Sequence, residues 1–153
     1  PYSMRAARIA AKLGYTRVFA FVGGVPEWRK FNYEMVIDPE WKKIPVEKFS
    51  PALFKSLYDT KKYYLLDVRP MNFKRDTSFI KGAFHCPLVH LEERYAVIPK
   101  DKNILITDWA MKQSIIAAKF LVQRGYRIKG VLKGGMERWV AESYPYESRK
   151  PSN

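Results

Sequence analysis

This 153-residue chain holds one cysteine and two histidines, the side chains best suited to nucleophilic and base chemistry near neutral pH. Its single cysteine, Cys86, follows His85 directly and precedes Pro87, and His90 lies four residues on. A thiol beside an imidazole is the smallest apparatus for nucleophilic catalysis, the ring taking the proton and the thiolate attacking. Successive residues of a strand face opposite ways, however, so His85 is expected to point away from Cys86. His90 could approach only through a loop. A lone cysteine in an apolar stretch reads as a small core side chain with a raised thiol pKa. Both histidines then read as ordinary surface or capping residues. One cysteine excludes an internal disulfide framework, and two histidines leave little for a zinc site, so neither metal catalysis nor a cofactor is expected. Asp67 and Arg69 could look catalytic, but at the end of a strand they read better as an ion pair tying loops together. Trp28 and Trp139 read as core anchors.

The elements that must position these side chains alternate. Ser50-Pro51 predicts a helix start, with Leu53, Phe54 and Leu57 as its apolar face. Tyr63 to Val68 (YYLLDV) predicts a strand buried on both faces. Gly82 to Leu88 gives a turn and a short strand stopped by Pro87, and Leu91 to Tyr95 a helical turn. Ile104 to Thr107 is the next buried strand, leading through Asp108 to Gln113 into a helix from Ser114 to Arg124 that ends at Gly125. A strand from Gly130 to Leu132, then Gly134-Gly135 and a helix around Trp139, complete the series. This order predicts an α/β fold, a mostly parallel central sheet with helices on both faces.

Composition bounds the class. With 47% apolar and 15% aromatic residues the chain can bury one ordinary core. Its net charge of +13 suits an anionic contact, but the basic residues are spread out, without the Lys/Arg block and interleaved aromatics of a nucleic-acid groove, and no nucleic-acid partner is expected. No apolar run reaches the roughly 18 to 20 residues that span a bilayer, and no secretory signal opens the chain. A soluble protein without membrane contact follows as the expectation, cytoplasmic or periplasmic, its oligomeric state undetermined.

The chain also repeats itself. Displaced by 111 residues, Ser3 falls on Ser114, Ala6 and Ala7 on Ala117 and Ala118, Gly14-Tyr15 on Gly125-Tyr126, Gly23-Gly24 on Gly134-Gly135, Trp28 on Trp139 and Tyr33 on Tyr144. The shared unit is a helix ended by glycine, a short apolar strand, a Gly-Gly turn and a tryptophan-anchored helix.

Tyr64 to Arg69 (YLLDVR), Ile80 to Leu88 (IKGAFHCPL), Ile104 to Ser114 (ILITDWAMKQS), Gly125-Tyr126 and Lys133 to Trp139 (KGGMERW) resemble, in order and spacing, the landmarks of a rhodanese domain. The resemblance covers about residues 44 to 146. Residues 1–36 resemble the closing third of another such repeat, 37–45 (IDPEWKKIP from Ile37) a semi-rigid linker, 46–147 a complete rhodanese-like domain and 148–153 a tail. It implies sulfur transfer: a cysteine after the central strand takes the sulfane sulfur of thiosulfate or a related donor as a persulfide and passes it to a thiol. The strand-to-helix loop stabilises the thiolate and binds the anionic donor through inward N–H groups.

Here that loop is Asp108-Trp109-Ala110-Met111-Lys112-Gln113, and Asp108 stands at the nucleophile's position. Met111 stands where glycine is usual, Gln113 where arginine is common, and Phe79 where histidine is frequent. No catalytic residue is assigned in a loop so degenerate. Asp108 cannot carry a persulfide; it is expected either to fill the place of the substrate anion or, with Thr107, to cap the following helix. Lys112 could help hold an anion, though a solvated lysine is the default.

Two function classes follow. One is a catalytically inactive rhodanese-like module with a structural or regulatory role, serving a protein partner. The other is an active sulfurtransferase whose cysteine lies in a first repeat upstream of Pro1, acting on a small sulfur-containing anion or a protein thiol. A phosphatase-like use of the loop would itself need the loop cysteine and arginine.

Overall fold

A computed structural model describes residues 2–36, 38–70 and 77–149. Pro1, residue 37 of the expected linker and residues 150–153 of the expected tail lie outside the described residues. The chain divides into two compact units, residues 1–42 and 43–153.

In the second unit the buried strands of the sequence pair as expected. The elements are β1 (Lys48–Phe49), α4 (Pro51–Asp59), β2 (Tyr63–Asp67), β3 (Ser78–Phe79), β4 (Phe84–His85), α5 (Leu91–Arg94), β5 (Asn103–Thr107), α6 (Ser114–Gln123), β6 (Arg127–Leu132), α7 (Gly135–Ala141) and β7 (Glu147–Ser148), with α1 to α3 in the preceding residues. Five strands form one sheet in the order β1-β6-β5-β2-β4, every pair parallel. Alternation along β2 and β5 sends Leu66, Ile104 and Ile106 to one face, where Ala117, Ala118 and Leu121 of α6 and Leu91 of α5 cover them. Leu65 and Leu105 face the other way, onto Phe54 of α4 and Met136 and Trp139 of α7. Trp139 and Phe54 meet edge to face at 6.0 Å, and each is essentially removed from water, burial that contributes about 2 to 3 kcal/mol apiece.

The register has one irregularity, between Ile104 and Leu105, where β5 skips from Ile128 to Gly130 on β6 and leaves Lys129 bulged. Gly130 is there of necessity: a Cβ on it would stand 2.6 Å from the Phe49 ring and 2.8 Å from the Glu47 carbonyl, so only glycine lets β1 close on that edge.

Ser50 caps α4 as expected, its Oγ accepting from Leu53 N at 3.4 Å. The expected apolar face needs one correction. Leu53 is 48% exposed; Phe54, with Leu57 and Tyr58, meets the core instead, because 100° per residue turns Leu53 outward once Phe54 points in. Outside the sequence expectations, β3 and β7 form a short antiparallel ribbon, Ser78 opposite Ser148.

The first unit holds α1 (Tyr2–Lys12) and α2 (Gly24–Lys30). The strand expected between them is absent: residues 18–21 have no ladder, since a β-strand has no hydrogen-bond partners within itself and none stands beside it in this unit. Trp28 is likewise no core anchor there. It is 38% exposed and packs on Phe21 and Tyr33 at 5.6 and 4.9 Å. Within the expected linker, Pro39–Lys43 forms the short helix α3, begun by Asp38, whose Oδ1 accepts from Glu40 N at 2.9 Å.

Candidate functional site

The strand β5 ends at Thr107, and the chain must turn from the carboxyl edge of the sheet into α6. Crevices at that edge are where parallel α/β sheets bind ligands. Asp108, the first residue of the turn, is 1% exposed. Its carboxylate points back into its own loop: Oδ1 accepts from Met111 N at 2.6 Å, and Oδ2 from Gln113 N at 2.6 Å and Ser114 N at 3.0 Å. Three inward amides thus close on one side chain. The two expectations for Asp108 merge in this geometry, since the carboxylate both sits among the loop's amides and satisfies the first N–H of α6.

The curl survives without glycine. Met111 takes φ +58°, the left-handed region, at a cost of roughly 1 to 2 kcal/mol for a residue with a side chain. The Asp108 bond to its own N–H offsets that cost. The outer wall is clipped by α7, whose Met136 N donates to the Asp108 carbonyl at 2.8 Å and Glu137 N to the Trp109 carbonyl at 3.0 Å. Gly135 makes the clip possible: a Cβ there would lie 2.3 Å from the Trp109 carbonyl oxygen. The loop's outer surface presents Trp109, 40% exposed, and Lys112, also exposed.

Cys86 lies elsewhere. It is fully buried among Leu66, Val68 and Leu91, with its N–H donating to the Asp67 carbonyl at 2.9 Å. Burial pushes its thiol pKa up, with Arg94 opposing, so the group stays a protonated thiol at neutral pH. His85 faces away from it as expected. Its Nε2 lies 2.8 Å from the Arg69 carbonyl, which only accepts, so Nε2 carries the proton; Nδ1 faces Arg149 Nη1 at 3.3 Å. Both ring nitrogens are engaged away from the thiol. His90 is a half-buried neighbour of Glu93, Nδ1 to Oε2 3.8 Å.

Asp67 and Arg69 form the loop-organising pair. Arg69 Nε reaches both Asp67 oxygens at 3.0 Å, and Nη2 reaches Oδ2 at 2.6 Å and the Ser78 carbonyl at 2.7 Å. Both residues are buried, and the pair ties the end of β2 to β3. Two contributors had no distinct signal in the sequence. The Ser114 hydroxyl, at the start of α6, is buried with no hydrogen-bond partner among the described residues. The amides of Met136 and Glu137 clip the loop from a segment marked in sequence only by its glycine pair. Among the described residues no group of three or more His, Cys, Asp or Glu side chains gathers as a metal site, and no helix is long and apolar enough to cross a membrane.

A rhodanese-like domain profile matches residues 50–142. A sulfurtransferase of Allochromatium vinosum is 30% identical over 97 residues, 63% of this chain and 89% of that protein. Among solved structures, a rhodanese-related protein from Thermoplasma volcanium superimposes with TM-score 0.58 at 27% identity, covering 66% of this chain and 97% of the other. A rhodanese-like domain protein from Staphylococcus aureus gives 0.57 at 20%, covering 69% and 100%, a likeness of fold.

Proposed function

Since the chain belongs to the rhodanese-like domain family, we propose that its complete domain is a catalytically silent member with a structural or regulatory role toward a protein partner. The observation that carries this reading is the Asp108 carboxylate held by the Met111, Gln113 and Ser114 amides. A persulfide needs a sulfur nucleophile at the head of those amides, and a donor such as thiosulfate needs them unoccupied. Here a carboxylate stands for the first and takes the second. Its negative charge also repels an approaching oxyanion. Cys86 supplies no substitute, since it is buried, protonated and without a base.

The test is cyanide-dependent release of thiocyanate from thiosulfate by the 153-residue chain, with Cys86→Ser as control. No turnover above that control is expected. Turnover lost in Cys86→Ser would overturn the assignment of Cys86 to the core.

A second reading is favoured by the internal repeat. In this reading residues 1–36 close a first rhodanese-like repeat, 37–45 link it to the complete domain at 46–147, and a cysteine in the first repeat forms the persulfide. Its substrate would be a small sulfur-containing anion or a protein thiol. The backbone supports the equivalence of the two copies. Tyr15 N bonds the Ala10 carbonyl as Tyr126 N bonds that of Leu121, and Tyr33 N the Trp28 carbonyl as Tyr144 N that of Trp139. The indole of Trp28 donates to the Glu34 carbonyl at 2.9 Å, and that of Trp139 to the Pro145 carbonyl at 2.9 Å. Thiosulfate turnover by a longer form of the protein, unaffected by Cys86→Ser, would favour this reading.

A further inference from the structure

The repeat has an unequal outcome. In the first unit α1, residues 18–21 and α2 enclose an apolar groove of about 570 Å³. At the 111 offset its lining corresponds to the core of the second unit, except that Val18 falls on the exposed Lys129. Ala6, Ala7 and Ala10 line the groove, and their counterparts Ala117, Ala118 and Leu121 are fully buried. Phe21, Val25 and Trp28 are 45%, 52% and 38% exposed, whereas Leu132, Met136 and Trp139 are 0%, 0% and 1% exposed. The groove is therefore a core face without its cover, and the second unit displays what covers such a face. β6 lies between β1 and β5, and Phe54 of α4 packs against Trp139. Gly24 points the same way. It holds φ +60°, as Gly135 holds φ +62°, but where a Cβ on Gly135 would strike the Trp109 carbonyl, one on Gly24 would meet nothing nearer than 3.7 Å. The backbone is shaped for a loop that the first unit does not itself provide.

We infer that this groove seats a sheet-forming segment of the same polypeptide, built like residues 46–111: two parallel apolar strands flanking residues 17–21 and a helix bringing an aromatic ring onto Trp28. On docking, residues 17–21 become a central strand. Phe19 sets the selectivity. It stands at the position of Gly130, where any side chain would enter the space of the Phe49 ring. The occupant therefore carries a small residue in place of Phe49, and its edge strand stands farther out than β1 does, because a Cβ at Gly130 would also meet the Glu47 carbonyl at 2.8 Å. A segment with the Phe49 ring retained fits poorly. The inference rests on residues 1–36 being the end of a repeat, and it does not depend on the catalytic silence of Asp108.

The test inserts a copy of residues 44–111, with Phe49→Ala in the added copy, directly ahead of Pro1, which restores the 111-residue period without a gap. Hydrogen exchange is followed by mass spectrometry in this extended chain and in the 153-residue chain. Amides of residues 17–21 are expected to slow by about a hundredfold in the extended chain, since central-strand amides exchange only through substantial opening. The protection should fall when Ile104 and Ile106 of the added copy are both replaced by Asp. Residues 103–107 of the original domain report that the second unit is folded throughout. Unchanged exchange at 17–21, with α1 and α2 protected, overturns the docking. Unprotected α1 and α2 in both chains would overturn the repeat reading beneath it. Protection of 17–21 in the 153-residue chain, together with a dimeric mass, would assign the groove to a second copy and overturn the inference.

Discussion

Replacing Asp108 by alanine removes one acceptor from three amides at once, and the structure sets the size of the effect. Hydrogen bonds to a charged group contribute about 1.5 to 3 kcal/mol each when buried. Only the bond from Ser114 N is buried; those from Met111 N and Gln113 N are partly so. Those two amides regain water when the side chain is lost. Taking about 2 kcal/mol for the first and about 1 for each of the others gives about 4 kcal/mol. Relaxation of Met111 from φ +58° returns about 1 kcal/mol. A loss of about 3 kcal/mol is expected, measured as a lower urea midpoint at unchanged slope. Asp108→Asn keeps one acceptor oxygen and turns an N–H donor toward the remaining amides, so it should fall close to alanine. The emptied amides should accept an added anion. Sulfate is expected to stabilise Asp108→Ala more than wild type, by about 1.4 kcal/mol at ten times its dissociation constant. An alanine variant within about 0.5 kcal/mol of wild type, the ordinary span of a neutral surface change, with equal sulfate effects on both, would refute the claim that this carboxylate holds the loop.

Three other outcomes follow from the same geometry. Burial raises the pKa of the Cys86 thiol and of the Tyr64 and Tyr126 phenols. Above the ordinary values the unfolded chain sheds these protons while the folded chain keeps them, so stability should fall as pH rises through about 9 to 10; Cys86→Ala should weaken that fall in thermal melts, and the native thiol should ignore a disulfide reagent until urea unfolds the chain. Ser114→Ala removes a buried hydroxyl that has no partner among the described residues and should leave stability unchanged or raise it by about 1 kcal/mol in urea titration, whereas a clear loss would mean that the hydroxyl is satisfied in solution. Asp67→Asn breaks a buried ion pair and should cost about 3 to 5 kcal/mol by the same titration.

The sequence by itself determined the alternation of apolar strands and helices, the Ser50 cap and the burial of Cys86. These are local matters, settled by periodicity and by side-chain chemistry within a few residues. The identity of Asp108 was equally plain, as was the lack of a cysteine in the loop from Asp108 to Gln113. Only the tertiary structure decided where that carboxylate points, because the N–H groups that receive it become neighbours when the turn closes against α7. The same holds for residues 17–21. Ala20 and Phe21 fall on Val131 and Leu132 of β6, yet the ladder that would make them a strand belongs to other segments, so their sequence alone leaves them without one. Leu53 turned outward for a related reason: α4 could bury only one side, and the sheet beneath it chose Phe54. The β3–β7 ribbon joins residues 70 apart in the chain, a pairing that no local preference specifies.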